Sequence, residues 1–155
     1  MSKRTIEKNN FKDTCISELR SKGLRLTQAR ILMIEILSDI SSPMTAREVF
    51  EKSKASKVKL DKVTVYRVLE RFEDLGLIHQ IFPSGGYVPC FHKDCSSSHH
   101  ILMHCLVCEN ILEIDVPEDT IEPIAGHLKK EYKFTLDENH FQLNGVCGSC
   151  SPAVV

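Results

Sequence analysis

The chain has 155 residues, 42% of them hydrophobic and 26% charged, with a formal net charge of −1, enough length to bury a core as one domain or two small ones. No apolar run reaches the roughly 20 residues of a membrane span, and the start, MSKRTIEKNNFKD, lacks the apolar core of a secretory signal. The expectation is a cytoplasmic chain with no membrane contact, in which seven cysteines, several in closely spaced pairs, read as metal ligands before disulfides.

The near-neutral total conceals a division: residues 1–88 carry 16 Lys and Arg against 11 Asp and Glu, and residues 89–155 carry 4 against 10. A basic first half suits a polyanion. In that half, Phe11, Cys15, Ile16 and Leu19 recur at helical spacing over residues 10–22, and Gly23 predicts the stop. Thr27 is placed to cap a second helix over 28–40, apolar on nearly every side and hence buried. After the Ser41-Ser42-Pro43 break, Thr45 and Glu48 predict a capping box for a third helix over 45–56. Asp61 opens a fourth over 61–76, with Val65, Leu69, Phe72 and Leu75 as its inward stripe and Gly76 as its end.

The period then changes. LIHQIF and YVPCF flank the turn PSGG, which is a β-hairpin by pattern. Helices two to four followed by a hairpin match a winged helix-turn-helix, with the first helix as an extension. The outward face of the fourth helix offers Thr64, Tyr66, Arg67 and Arg71, types that read grooves and bind phosphates, and Lys57, Lys59 and Lys62 stand near its start. Glu70, Glu73 and Asp74 also fit a merely solvated face.

HKDCSSS, residues 92–98, reads as a polar hinge, which divides the chain into a winged-helix domain over 1–91 and a second domain over 99–155. Beyond the hinge, HHILMHCL and ILEIDV predict paired strands around a CLVC knuckle, residues 118–130 an amphipathic helix, and FTLDENHFQLNGVC further strand. The fold class is α+β, with a small α/β second domain.

Cys105-Leu-Val-Cys108 and Cys147-Gly-Ser-Cys150 are two CxxC pairs with 38 residues between them. A CxxC turn directs two thiolates at one point, and two such knuckles complete the tetrahedral sulfur shell of structural zinc. A thioredoxin-like dithiol needs a CxxC at a helix N-terminus after a strand, and neither pair has that context. A second candidate set draws on the hairpin: His79 on its first strand and Cys90 near the end of its second, with His99 or His100 and Glu113 able to join them. A mixed sulfur, nitrogen and oxygen set suits zinc and fits magnesium or calcium poorly. An enzyme is not expected, since HExxH, the zinc deaminase pattern, P-loop, GxSxG and dinucleotide fingerprints are all absent.

Together, GLRLTQAR, TVYRVLERFEDLGLIH, the histidine pair before CLVC, and NGVCGSC resemble the ferric uptake regulator family of bacterial metal-dependent repressors, over about residues 10–150. The resemblance implies a winged-helix DNA-binding domain, a hinge, an α/β dimerisation domain with a four-cysteine zinc site, and a homodimer that binds an AT-rich palindromic operator in double-stranded DNA when metal is loaded. Tyr66 and Arg67 match the family's recognition-helix pair, and Lys22 and Arg25 fall where it has basic residues near the minor groove. The zinc uptake regulator branch looks nearest, because His79, Cys90, one of His99 and His100, and Glu113 match its regulatory zinc ligands. His99, Glu122 and His140 resemble an accessory metal site, although Ile101 replaces a usual aspartate. Ser42-Pro43-Met44 stands where iron and peroxide sensors usually carry a histidine, and Ile101 and Leu102 interrupt their His-x-His pattern.

The function expected from the resemblance is a zinc-responsive repressor of metal uptake genes. An iron- or manganese-dependent, or peroxide-sensing, repressor of the same family is the alternative, and a zinc-binding protein without DNA function is a remote one. His104, beside Cys105, has no counterpart in the family pattern.

Overall fold

The structure, a computed structural model, describes residues 8–40, 42–90, 100–136 and 141–151. The predicted hinge and His92, Cys95, His99 and His140 lie outside them. The chain divides into two compact units, Met1–Lys93 and Asp94–Val155.

The first unit is built by its caps and its apolar spacing. Helix α1 (Lys8–Ser21) buries Phe11, Cys15 and Leu19, the predicted stripe. It ends at Gly23 (φ +65°), where Leu24 N–H donates to Leu19 carbonyl at 2.8 Å and closes the last turn. Helix α2 (Gln28–Ser38) is capped by the Thr27 hydroxyl, which accepts from Arg30 N–H. Its breadth of apolar residues is explained by its neighbours: it packs against α1, α3 (Ala46–Ser53) and α4 (Lys62–Asp74). The capping box at α3 is present in both directions, with Glu48 N–H donating to the Thr45 hydroxyl and Thr45 N–H to Glu48 Oε2. The Asp61 carboxylate accepts from Thr64 N–H at 2.7 Å and starts α4, whose Val65, Leu69 and Phe72 are fully buried.

After Gly76 (φ +66°), β1 (Ile78–Ile81) and β2 (Gly86–Pro89) form the antiparallel hairpin, with His79 opposite Val88 and Ile78 opposite Pro89. Helices α2–α4 with this hairpin make a winged helix-turn-helix. The segment before α3 also joins the wing: Met44 and Tyr87 exchange both backbone hydrogen bonds, at 3.1 and 2.8 Å. That approach is close enough that a Cβ on Gly86 would stand 2.6 Å from Pro43 Cβ, so glycine is required there for space.

Among its described residues, the second unit forms a three-stranded sheet in the order β4-β3-β5 with one helix. Strands β3 (His100–Cys105) and β4 (Ile111–Asp115) pair antiparallel, as their alternation around the CLVC knuckle predicts. Helix α5 (Glu118–Tyr132) ends on Lys133 in the left-handed conformation (φ 56°), with Phe134 N–H returning to Leu128 carbonyl. That reversal keeps residues 133–136 out of the sheet, which corrects the expectation of strand from Phe134 onward. Strand β5 (Phe141–Gly145) runs parallel to β3. No described helix is long and apolar enough to cross a membrane.

Candidate metal centres and nucleic-acid face

Each CxxC pair is shaped by its turn. In the first, Glu109 N–H closes onto Cys105 carbonyl at 2.9 Å, and Glu109 itself adopts φ 57°. In the second, Cys150 and Ser151 N–H both donate to Cys147 carbonyl at 2.9 Å. The parallel pairing of β3 with β5 puts Cys105 opposite Gly145, two residues before Cys147, and so brings knuckles far apart in sequence to one end of the sheet. The thiols of Cys105, Cys108, Cys147 and Cys150 all lie within 4.8 Å of one another. Cys108 Sγ and Cys147 Sγ are 3.8 Å apart. A tetrahedron with metal–sulfur bonds of about 2.3 Å has an edge of about 3.8 Å, the zinc–thiolate geometry.

Two thiols of the cluster are shifted, in opposite directions. N–H groups of Cys108, Cys147 and Val107 directed at Cys105 Sγ lower its pKa from 9.0 to about 6; the Cys147 N–H lies 3.3 Å away. Cys150 moves the other way, to about 12, because its thiol donates to Cys147 and Cys108 in the crowded group. The donor set therefore fits a structural zinc site, and metal binding there would release protons. Cys15 is different: burial in the first unit's core raises its thiol to about 12, and it is a packing residue with no ligand partner in the cluster.

The other predicted ligands fall into two pairs, one in each unit. In the first unit, Cys90 N–H donates to Leu77 carbonyl at 2.9 Å, which extends the hairpin ladder past β2. By that register His79 and Cys90 are diagonal neighbours on one face, and each is 2% exposed. In the second unit, Glu113 lies opposite Leu102, and thus diagonal to His100. His100 Nε2 stands 3.2 Å from Glu113 Oε1, both side chains almost wholly buried. Of the proposed accessory ligands, Glu122 is exposed on α5 and the other two lie outside the described residues.

His104 is buried on β3, opposite Ile111 and Asn144, and its Nδ1 has no hydrogen-bond partner among the described residues. It shares the face of His100 but is separated from it by Leu102. The Met44–Tyr87 bridge was missed in the sequence; the signal for it lay in Gly86, a small residue inside a strand, which marks a close backbone approach.

On the first unit, Tyr66 and Arg67 project outward from α4 while Val65, Val68 and Leu69 face the core. Thr64 is half-buried and its backbone N–H is held by Asp61. Lys22 and Arg25 are exposed at the α1–α2 connection, Lys22 lying 3.7 Å from Glu18 and Arg25 carbonyl accepting from Arg30 Nη1 at 2.6 Å. These positions leave the guanidinium and phenol groups of α4 available to a ligand outside the unit.

The ferric uptake regulator family model matches residues 21–144. A ferric uptake regulation protein of Bordetella parapertussis is 31% identical over 137 residues, covering 86% of this chain and 94% of that one. A peroxide-responsive repressor of Staphylococcus saprophyticus is 26% identical, covering 87% of this chain and 88% of its own. Among solved structures, a zinc uptake regulator complexed with zinc and DNA superposes with a TM-score of 0.78 at 20% identity, covering 96% of this chain and 97% of that one. At that identity the superposition speaks for the fold. The match to the family model spans most of the winged helix and the second unit's sheet, and with it the chain belongs to the ferric uptake regulator family of metal-responsive transcription regulators.

Proposed function

We propose that this regulator is a zinc-responsive repressor that binds operator DNA as a homodimer and controls metal uptake genes. The observation that carries the reading is the pair of buried ligand couples, His79 with Cys90 and His100 with Glu113, each locked on one face of an antiparallel pair. A thiol in the set favours zinc over the harder manganese and ferrous ions. Of the two histidines left open by the sequence, His100 is assigned, because it shares a face with Glu113.

Zinc would be held by these four residues, and its loading would change the form of the protein that meets DNA. His79 and Cys90 fix the wing's contribution, and His100 and Glu113 that of the β3–β4 pair. His100 Nε2 and Glu113 Oε1, 3.2 Å apart, are the two donor atoms this strand pair would offer to one ion. Binding of this kind changes DNA affinity to the extent that DNA discriminates between loaded and metal-free forms, typically by about 1–3 kcal/mol. Tyr66 and Arg67 on α4 are assigned to the major groove, with Lys22 and Arg25 on flanking DNA.

Support for a homodimer comes from the second unit. Met103, Leu112 and Leu143 stand side by side across the three strands, and Leu112 and Leu143 are each nearly half exposed. Ile124 on α5 is exposed as well. A second copy of the same face would cover such a patch.

The names of the curated relatives favour iron or peroxide sensing as the competing reading. Titration of DNA binding with zinc, manganese and ferrous iron at buffered free concentrations, on protein whose four-cysteine site is already filled, separates the two. The zinc reading expects a response to zinc at the lowest free concentration, and Cys90→Ser to abolish that response while the structural zinc stays bound. An unchanged response in Cys90→Ser overturns the assignment.

A further inference from the structure

The positive charge of the first unit is concentrated in one place. Residues 52–67 contain six of the 16 Lys and Arg of residues 1–88 and one of their 11 carboxylates, so this stretch accounts for the entire excess of that half. Three of the six cations, Lys54, Lys57 and Lys59, lie in the α3–α4 connection. There Val58 and Leu60 turn inward and pack against the core of the unit, while Lys57 and Lys59 alternate with them and are exposed. Two half-buried anchors thus hold two cations on the outer side of a segment with no regular structure.

The neighbouring lysines are arranged differently. Lys54 is engaged by both oxygens of Glu51, at 2.8 and 2.7 Å, and lies 4.8 Å from the centre of the Phe50 ring. Lys62 approaches the same ring from the start of α4, at 5.8 Å. Phe50 therefore stiffens the base of the connection from both ends. Lys57 and Lys59 have no ion pair among the described residues. Two exposed, uncompensated ammonium groups held two residues apart beside the first turn of α4 match the repeating charge of a phosphate backbone.

We propose that Lys57 and Lys59 form a second phosphate-binding surface for double-stranded DNA, separate from the face of α4. The inference rests on the reading of the chain as a DNA-binding regulator. Phosphate contacts carry no sequence information. This surface accordingly holds α4 on any duplex and sets the register in which Tyr66 and Arg67 can reach base edges.

A labelled 30-base-pair duplex of mixed sequence is the probe, titrated with the zinc-loaded full chain at several salt concentrations. Lys57→Gln with Lys59→Gln is expected to flatten the slope of log K against log salt by about 2, and to weaken binding roughly 30-fold at 0.15 M salt. Thermal melting should be unchanged, because both side chains are exposed. The control pair Lys129→Gln with Lys130→Gln, on α5, makes the same change in net charge and is expected to leave the slope alone. An unaltered slope in the Lys57 and Lys59 variant overturns the proposal, and so does an equal effect from the control. Tighter binding to the single strand of the same sequence than to the duplex also overturns it. If the wild type binds no duplex at all, the functional reading falls and takes this surface with it; if wild-type binding responds to zinc but not to the lysines, this surface alone falls.

Discussion

Removal of metal from the four-cysteine cluster should unfold the second unit and leave the first intact. Among the described residues of the second unit, Ile101, Leu102 and Ile121 are its buried aliphatic side chains. At about 1.5–3 kcal/mol each, their burial contributes roughly 5–9 kcal/mol before any cost of ordering the chain. A structural zinc on four thiolates contributes about 10–16 kcal/mol in small domains, so the metal outweighs the apolar core it accompanies. The first unit is the opposite case, with Phe11, Met33, Leu37, Leu69, Phe72 and many others buried in one cluster. Hydrogen exchange with mass spectrometry, before and after treatment with a strong chelator and reductant, reads both units in one sample. Protection across β3, β4 and β5 should collapse, while α2 and α4 keep theirs; Cys108→Ser should reproduce the pattern without chelator. Undiminished protection of β3 in the metal-free protein would show that the sheet stands on its own packing, and the comparison of energies above would be wrong.

Gly86→Ala should cost about 1–3 kcal/mol in urea denaturation, since its methyl group would meet Pro43 Cβ at 2.6 Å and the Pro43 carbonyl carbon at 3.0 Å. Thr45→Ala removes the hydroxyl side of the α3 capping box and should cost about 1 kcal/mol in the same assay. The carboxyl of Glu48 is held below its usual 4.5 by the Thr45 hydroxyl and N–H, and that of Asp61 below its usual 3.8 by Thr64 N–H. Both contributions are therefore present above those values and are lost as pH falls through the lowered ones. Stability of the wild type should drop in that acid range, and Asp61→Asn should make the drop shallower. Arg67→Ala should weaken operator binding by about 1–3 kcal/mol with relaxed preference at the contacted base, measured by competition with single-base operator variants; a uniform loss across all sequences would reassign Arg67 to phosphate.

Local chemistry made much of this fold legible before any coordinates. Thr27, Thr45 with Glu48, and Asp61 each cap the helix they announce, because a cap depends on residues three positions apart. The CxxC pairs were legible for the same reason, as each knuckle is a four-residue event. What needed the structure was long-range. The parallel pairing of β3 with β5 joins segments separated by β4 and α5, and no local pattern distinguishes it from an antiparallel neighbour. The overextended last strand failed because Lys133, a residue type with no preference for positive φ, makes the αL turn that glycine makes at Gly23 and Gly76. Among the site residues, the choice of His100 over His99 as the partner of Glu113 depended on register, which a displacement of one residue would reverse.

The backbone between α4 and the wing contains no slack. Leu77 N–H returns to Phe72 carbonyl at 2.8 Å, β1 begins at Ile78, and the far strand is tied through Tyr87 to Met44 at the foot of α3. A lever with both ends pinned has no play. Displacement of the hairpin at His79 would therefore pull on the α3–α4 frame to which it is bonded. The backbone that carries His79 and Cys90 is thus bonded at both ends to the frame that carries Tyr66 and Arg67.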